Sequence, residues 1–404
     1  VSLLSLDKKE RVTQEHKIEY KATREGFSEG LIEAAKHNEK VYAVCADLSA
    51  SVGMKEFSEK FPLRFVEVGV AEQNLVTVAS GLAMSGKIPY AASFSMFSPG
   101  RNWEQIRTTI CYNNQPVKII GSHVGLGVGE DGATHQALED VALMRVLPNM
   151  EVIVPCDAIE AKKAAIAISK TSSPTYMRIF RQKTRLLTDE NTEFIIGKIN
   201  VIGQGNEINE GTKKGNERKK SDAKKNIDVC IISSGPILSN VIDAAASLKK
   251  SAIKCAILNV HTIKPLDENT IIEYAKKSKL LVVVEDHQIA AGLGGAIAET
   301  LSAIYPKKIL FIGVKDSFGE SGKEEDLYKK YKLDSLSIAN AIRNELKTNT
   351  KLNAKRIIKE TGIITKTIKS SRNRNDKRTV KIRKTIKIVK RKNAAKTAAR
   401  KRRK

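Results

Sequence analysis

The chain has 404 residues, 41% hydrophobic, 5% aromatic and 28% charged, enough for two domains, since one core rarely grows past ~250–300 residues. No apolar run approaches the ~18–20 residues of a membrane span, and the opening VSLLSL is too short for a signal-peptide core, so a cytoplasmic chain without membrane contact is expected. The net charge of +25 is concentrated: residues 351–404 hold 23 Lys/Arg against 2 Asp/Glu, leaving a nearly neutral body with a strongly basic tail.

From about Arg24 the body alternates two patterns. FSEGLIEAAKHN reads as a helix and VYAVCADL as a buried strand, then RFVEVGV as a strand and AEQNLVTVASGLAMSG as a helix. The latter helix sets Leu75, Val78, Ala79, Leu82 and Ala83 at 3–4 spacing on one face. PVKIIGSH and MEVIVP continue the strands, and AIEAKKAAIAISK is a further helix. Strands separated by helices of this length predict a parallel sheet covered on both faces. Residues 204–226 then contain Ile208 as their only large apolar residue and read as a solvated loop or insertion. A second α/β pattern follows from IDVCIISSG to KILFIGV and ends near Leu346. The five cysteines are scattered through apolar stretches without a C-x-x-C pair, as expected of reduced core residues.

Four clusters bear chemistry. Glu72, in FVEVGVAEQN, lies at a strand-to-helix junction, where a carboxylate can serve the helix dipole or, in apolar surroundings, a proton. AASFSMFSPGRNW brings Phe94, Phe97 and Trp103 close together, as a platform for a planar ring or as core packing. GSHVGLGVGEDGATHQ, residues 121–136, sets His123, Glu130, Asp131 and His135 among five glycines. It does not fit G-x-x-x-x-G-K-[ST], so a nucleotide-phosphate loop is rejected. Arg178 and Arg181, in YMRIFRQKT, are forks suited to phosphate esters or to surface salt bridges.

Taken together, VEVGVAEQN, SFSMF, SHVGLGVGEDGATHQ and RQ resemble the pyrimidine-binding domain of the transketolases, in order and spacing. NVHTIKPLD, VVVEDH and AAGLGGAIAE are similar to that family's C-terminal domain, so the resemblance spans roughly residues 20–345. It implies a parallel-sheet pyrimidine-binding domain (20–190) and a smaller α/β C-terminal domain (227–346); composition and charge add an N-terminal extension (1–19), a linker with a polar insertion (191–226) and a disordered basic tail (347–404).

The resemblance also implies roles. Glu72 matches the glutamate that hydrogen-bonds the aminopyrimidine of thiamine diphosphate and favours the imino tautomer, whose nitrogen takes the thiazolium C2 proton. Phe94 matches the residue stacked on the pyrimidine and Phe97 an aromatic beside it; a further aromatic of some members falls here on Gly100. Asp47, in CADLSAS, matches an aspartate near the cofactor. Arg24, Ser51, His135 and Arg181 fall where the sugar phosphate binds, and His123 and Asp131 where substrate hydroxyls and the reaction centre are met. No protein metal ligands are assigned.

The family's diphosphate- and metal-binding G-D-G motif does not occur, and Arg24 follows only 23 residues of chain. A split transketolase is therefore expected, active with an N-terminal subunit that holds most of the diphosphate and Mg2+ contacts, in an α2β2 assembly. The expected reaction moves a two-carbon ketol unit between sugar phosphates of the pentose phosphate pathway. The alternatives are a deoxyxylulose-phosphate synthase-like enzyme or a 2-oxoacid dehydrogenase β subunit. A different class, nucleic-acid association, is suggested by the tail ending NAAKTAARKRRK, whose cations would give salt-sensitive binding.

Overall fold

The computed structural model describes residues 19–205, 207–208 and 227–348. The expectations for most of the N-terminal extension, most of the polar insertion and nearly all of the basic tail lie outside the described residues; Gln204, Gly205, Glu207 and Ile208, expected in a solvated loop, are strand residues instead, because backbone pairing does not need apolar side chains.

Seven strands form the first sheet, in the order Thr262–Lys264, Glu151–Ile153, Thr175–Arg178, Lys118–Ser122, Ile88–Phe94, Val41–Cys45, Phe65–Glu67. All neighbours run parallel except Thr262–Lys264, which pairs antiparallel with Glu151–Ile153. The central strands are buried along nearly their whole length, which explains why VYAVC and KIIGS read as continuous apolar runs without alternation. On one face helix Thr23–His37 packs against helix Ala158–Ile168. A Cβ on Gly26 would lie 1.9 Å from the Ala158 carbonyl oxygen, so only glycine permits this approach.

Helix Glu72–Met84 covers the other face. It buries Leu75, Val76, Ala79, Ser80 and Ala83, while Val78 and Leu82 are only partly buried against the same core. The inward stripe is thus turned slightly from the one drawn on spacing alone, because the partner surface decides which edge of an apolar stripe is sealed.

The second sheet has the order Glu207–Ile208, Asn200–Gly205, Cys255–Asn259, Ile227–Ser233, Ser278–Gln288, Ile309–Val314. Its last four strands are parallel. Asn200–Gly205, within the stretch expected as linker, pairs antiparallel with Cys255–Asn259. One apolar cluster is continuous through both sheets, from Leu75, Ile106 and Met144 through Val152 and Ile263 to Ile232, Leu258 and Leu301. Each such side chain contributes ~1.5–3 kcal/mol relative to exposure, so the two halves stabilise one another. All five cysteines are buried and unbonded.

Candidate active site

Parallel strands deliver their carboxyl ends to one rim of the first sheet, where open α/β sheets bind ligands. Phe94 ends its strand, His123 follows Lys118–Ser122, and Arg181 lies three residues beyond Thr175–Arg178. Glu72 opens the helix that follows Phe65–Glu67.

Glu72 is 3% exposed, and its Oε2 accepts a hydrogen bond from Arg101 Nη1 at 2.6 Å. Asn102 Nδ2 donates to the Glu72 carbonyl at 2.7 Å and to Ser98 Oγ at 3.1 Å, fixing the helix start. Val70, Ala71, Glu72, Gln73, Asn74, Thr77 and Arg101 line a cleft of about 530 Å³. The Arg101 guanidinium carbon lies 4.9 Å from the centroid of Phe97, within cation–π range.

From Phe97 the contacts run on without a gap. Its ring meets His135 edge-on at 5.5 Å and lies 6.4 Å from Phe94. Phe94 in turn stacks on His123 at 3.9 Å between centroids. His123 is held at φ 56 with Nδ1 2.9 Å from Ser122 Oγ. A left-handed conformation at a non-glycine residue is strain of the kind that gathers at functional sites. Burial, with the positive charges of Arg24 and Arg181 and the neighbouring His135, pushes the His123 imidazole down to about 3. It is therefore a neutral hydrogen-bonding group at physiological pH. Thr134 Oγ1 lies 2.9 Å from His135 Nδ1, Arg24 Nη1 donates to the Ser51 carbonyl at 3.0 Å, and Arg181 Nη1 meets Asp131 Oδ2 at 3.2 Å.

The chain thus gathers Glu72, Phe94, Phe97, His123 and His135 in one contiguous rim, with Arg24 and Arg181 acting on His123. Asp47 stands apart from that chain of contacts. It has φ 57, and its backbone N–H, not its carboxylate, makes the contact here, donating to Glu67 Oε1 at 2.7 Å. Gly69 N–H donates to the same oxygen at 2.9 Å. Arg178, which the sequence offered as a phosphate fork or a surface ion pair, is neither. It is 3% exposed, pairs with the equally buried Asp140 at 2.7 Å, and donates to the carbonyls of Ala137 and Asp286.

Sequence reasoning missed Arg101 and the brace beneath the glycine-rich loop. Asp286 Oδ1 accepts from Leu126 N–H at 3.0 Å, and Tyr328 donates to Asp286 Oδ2 at 3.1 Å. Gln136 Nε2 reaches the Glu320 carbonyl at 3.0 Å. The loop carrying His123, Asp131 and His135 is therefore seated on the C-terminal half. Only a carboxylate 160 residues from Leu126 in sequence signals this, and nothing local marks it.

Residues 19–186 match the transketolase pyrimidine-binding domain and residues 220–338 the transketolase C-terminal domain. A transketolase C-terminal section from Methanocaldococcus jannaschii is 42% identical over 81% of this chain and 97% of its own length. The 6-deoxy-6-sulfo-D-fructose transketolase subunit of Clostridium sp. is 34% identical over 81% and 95%. A solved split-gene transketolase, an inactive β4 tetramer, superposes with TM-score 0.71 at 36% identity, covering 81% of this chain and 98% of that one. The parallel sheet that bears the buried Glu72 and the Phe94–Phe97 pair lies within the stretch that matches the transketolase pyrimidine-binding domain. The chain belongs to the transketolase family, as a C-terminal section that joins the pyrimidine-binding and C-terminal domains.

The donor set agrees with that half of the cofactor. A buried carboxylate suits a ring nitrogen, and the Phe94–Phe97 pair suits a flat heteroaromatic face. Among the described residues no group of three or more His, Cys, Asp or Glu is placed to hold a metal ion.

Proposed function

We propose that this chain is the C-terminal subunit of a split transketolase, transferring a two-carbon ketol unit from a ketose phosphate to an aldose phosphate in the pentose phosphate pathway. The observation that carries this reading is the unbroken line of contacts from Glu72 through Phe97 and Phe94 to His123, flanked by Arg24 and Arg181. Thiamine diphosphate, when bound, supplies the carbanion chemistry that side chains lack. Glu72 would hold the aminopyrimidine and govern its protonation, with Phe94 and Phe97 flanking the ring. Asp47 would lie near the cofactor through the loop it shares with Glu67 and Gly69.

His123, neutral and oriented by Ser122, would hydrogen-bond an oxygen at the reaction centre without adding charge. Arg24, Ser51, His135 and Arg181 would receive the phosphate end, two guanidinium groups giving the paired donors a phosphate monoester needs. Asp131, now on Arg181, would trade that partner for a substrate hydroxyl. The diphosphate and Mg2+ would fall to an N-terminal partner subunit, in an assembly with two copies of each chain. The β4 tetramer of the solved split-gene relative supports self-association without activity when this chain is alone.

The test is ketol transfer from xylulose 5-phosphate to ribose 5-phosphate, with this chain alone and mixed with the partner subunit, thiamine diphosphate and magnesium. Activity is expected in the mixture only. Glu72→Gln should lower it ~10²–10⁴-fold, the usual worth of a positioned acid or base. A mixture that forms a complex yet transfers nothing from xylulose 5-phosphate refutes the substrate assignment. The 6-deoxy-6-sulfofructose donor of the Clostridium relative is then the first alternative.

A further inference from the structure

A carboxyl group as buried as Glu72 needs hydrogen-bond partners, and here the partner is a side chain, Arg101. Arg101 reaches in from a half-exposed position, 52% accessible, to meet the Glu72 oxygen at 2.6 Å. The arginine also lines the cleft beside Glu72, so it stands on the open side of the carboxylate. Its other contact is the face of Phe97, one of the two rings proposed to flank the pyrimidine. One guanidinium therefore engages two of the surfaces that a bound aminopyrimidine would require. By contrast Asn102, the next residue, is fully buried and tied to the Glu72 backbone, so the helix start stays fixed whatever Arg101 does.

We propose that Arg101 is a positioning residue that holds the Glu72 carboxyl group in place until the cofactor arrives, and yields it to the aminopyrimidine on binding. Cofactor entry is then an exchange of hydrogen-bond partners at one oxygen, so the arginine competes with the ligand. The half-exposed Arg101 side chain can swing to solvent, whereas Glu72 is buried on a helix start tied down by Asn102. This inference rests on the function read for the site, and it adds a competitor that the family resemblance did not supply.

Calorimetric titration of thiamine diphosphate, with magnesium, into the complex of this chain and its partner subunit tests it, using wild type, Arg101→Met, Arg101→Lys, Glu72→Gln and the double variant Glu72→Gln/Arg101→Met. Arg101→Met should bind the cofactor about tenfold more tightly than wild type, and Arg101→Lys, which keeps a cation within reach, should fall between them. In the Glu72→Gln background the same Arg101→Met change should give a clearly smaller gain, because the ion pair with that carboxylate is already gone and only the contact with Phe97 remains to be displaced. Affinity that is unchanged or weaker in Arg101→Met overturns the inference, as does an equal gain in the Glu72→Gln background. If Arg101→Met fails to assemble, the Arg101→Lys affinity decides alone, a value no tighter than wild type counting against the proposal. Absence of binding to the wild-type complex would instead overturn the function read for the site, and this inference with it.

Discussion

Replacing Gly125 by alanine tests whether the C-terminal half seats the glycine-rich loop. Gly125 has φ 68 and ψ −169, a conformation open to glycine alone. A Cβ there would stand 2.0 Å from Asp286 Oδ2 and 2.5 Å from its Cγ. The backbone strain costs ~1–3 kcal/mol. Displacing the buried Asp286 carboxyl also breaks its bonds to Leu126 N–H and the Tyr328 hydroxyl, at ~1–2 kcal/mol each. The expected loss is about 4 kcal/mol. Urea unfolding reads it through Trp103, the only tryptophan of the chain, whose indole N–H donates to the Leu143 carbonyl at 2.8 Å. Asp286→Ala removes the obstacle as well as the bonds, so the double variant should be less destabilised than the sum of the singles by at least ~1 kcal/mol. A loss below about 1 kcal/mol in Gly125→Ala, or strict additivity, would refute the seating.

Asp140→Ala leaves the Arg178 guanidinium buried without its carboxylate and should cost ~3–5 kcal/mol, measured by the same unfolding; a cost under ~1 kcal/mol would mean the pair is dispensable. Burial pushes the Glu160 carboxyl up to about 7 from an ordinary 4.5, so the folded state holds a proton that the unfolded state releases. Its stabilising effect is complete below about pH 4.5 and is lost as pH rises toward 7, at ~1.4 kcal/mol per unit. Wild type should therefore lose stability relative to Glu160→Gln across pH 5–7, and parallel curves would contradict the assignment. With His123 lowered to about 3, its ring proton resonances should stay constant between pH 5 and 8. A titration midpoint near 6.5 would show an accessible, unpressured imidazole.

Much of the architecture is legible because parallel strands buried on both faces leave uninterrupted apolar runs, as VYAVC and KIIGS do. One rim residue is legible for another reason: a strand's carboxyl end lies next to a loop in sequence, so His123 directly follows the recognisable strand in PVKIIGSH, whereas Phe94 closes a strand whose mixed sequence IPYAASF carries no such signal. What escapes is pairing over distance. Arg178 and Arg181 share one short stretch of sequence, yet one is sealed against Asp140 and the other faces outward with Asp131. No periodicity tells them apart, because the difference is made by Asp140, 38 residues earlier. Arg101 likewise meets Glu72 across 29 residues. Thr262–Lys264, from the C-terminal half, edges the other half's sheet, which only the folded arrangement reveals.

That borrowed strand has a consequence for how such a protein can be divided. A cut between residues 208 and 227 severs one covalent connection but leaves Thr262–Lys264 laced to Glu151–Ile153 and the apolar cluster undivided. The nicked product should migrate as a single particle. Made separately, the first half would present the raw flank of Glu151–Ile153 to any passing chain, an invitation to stick. The pyrimidine-binding half and its neighbour are thus woven as one cloth, and a transketolase parted at this point would have to be re-knit before it could work.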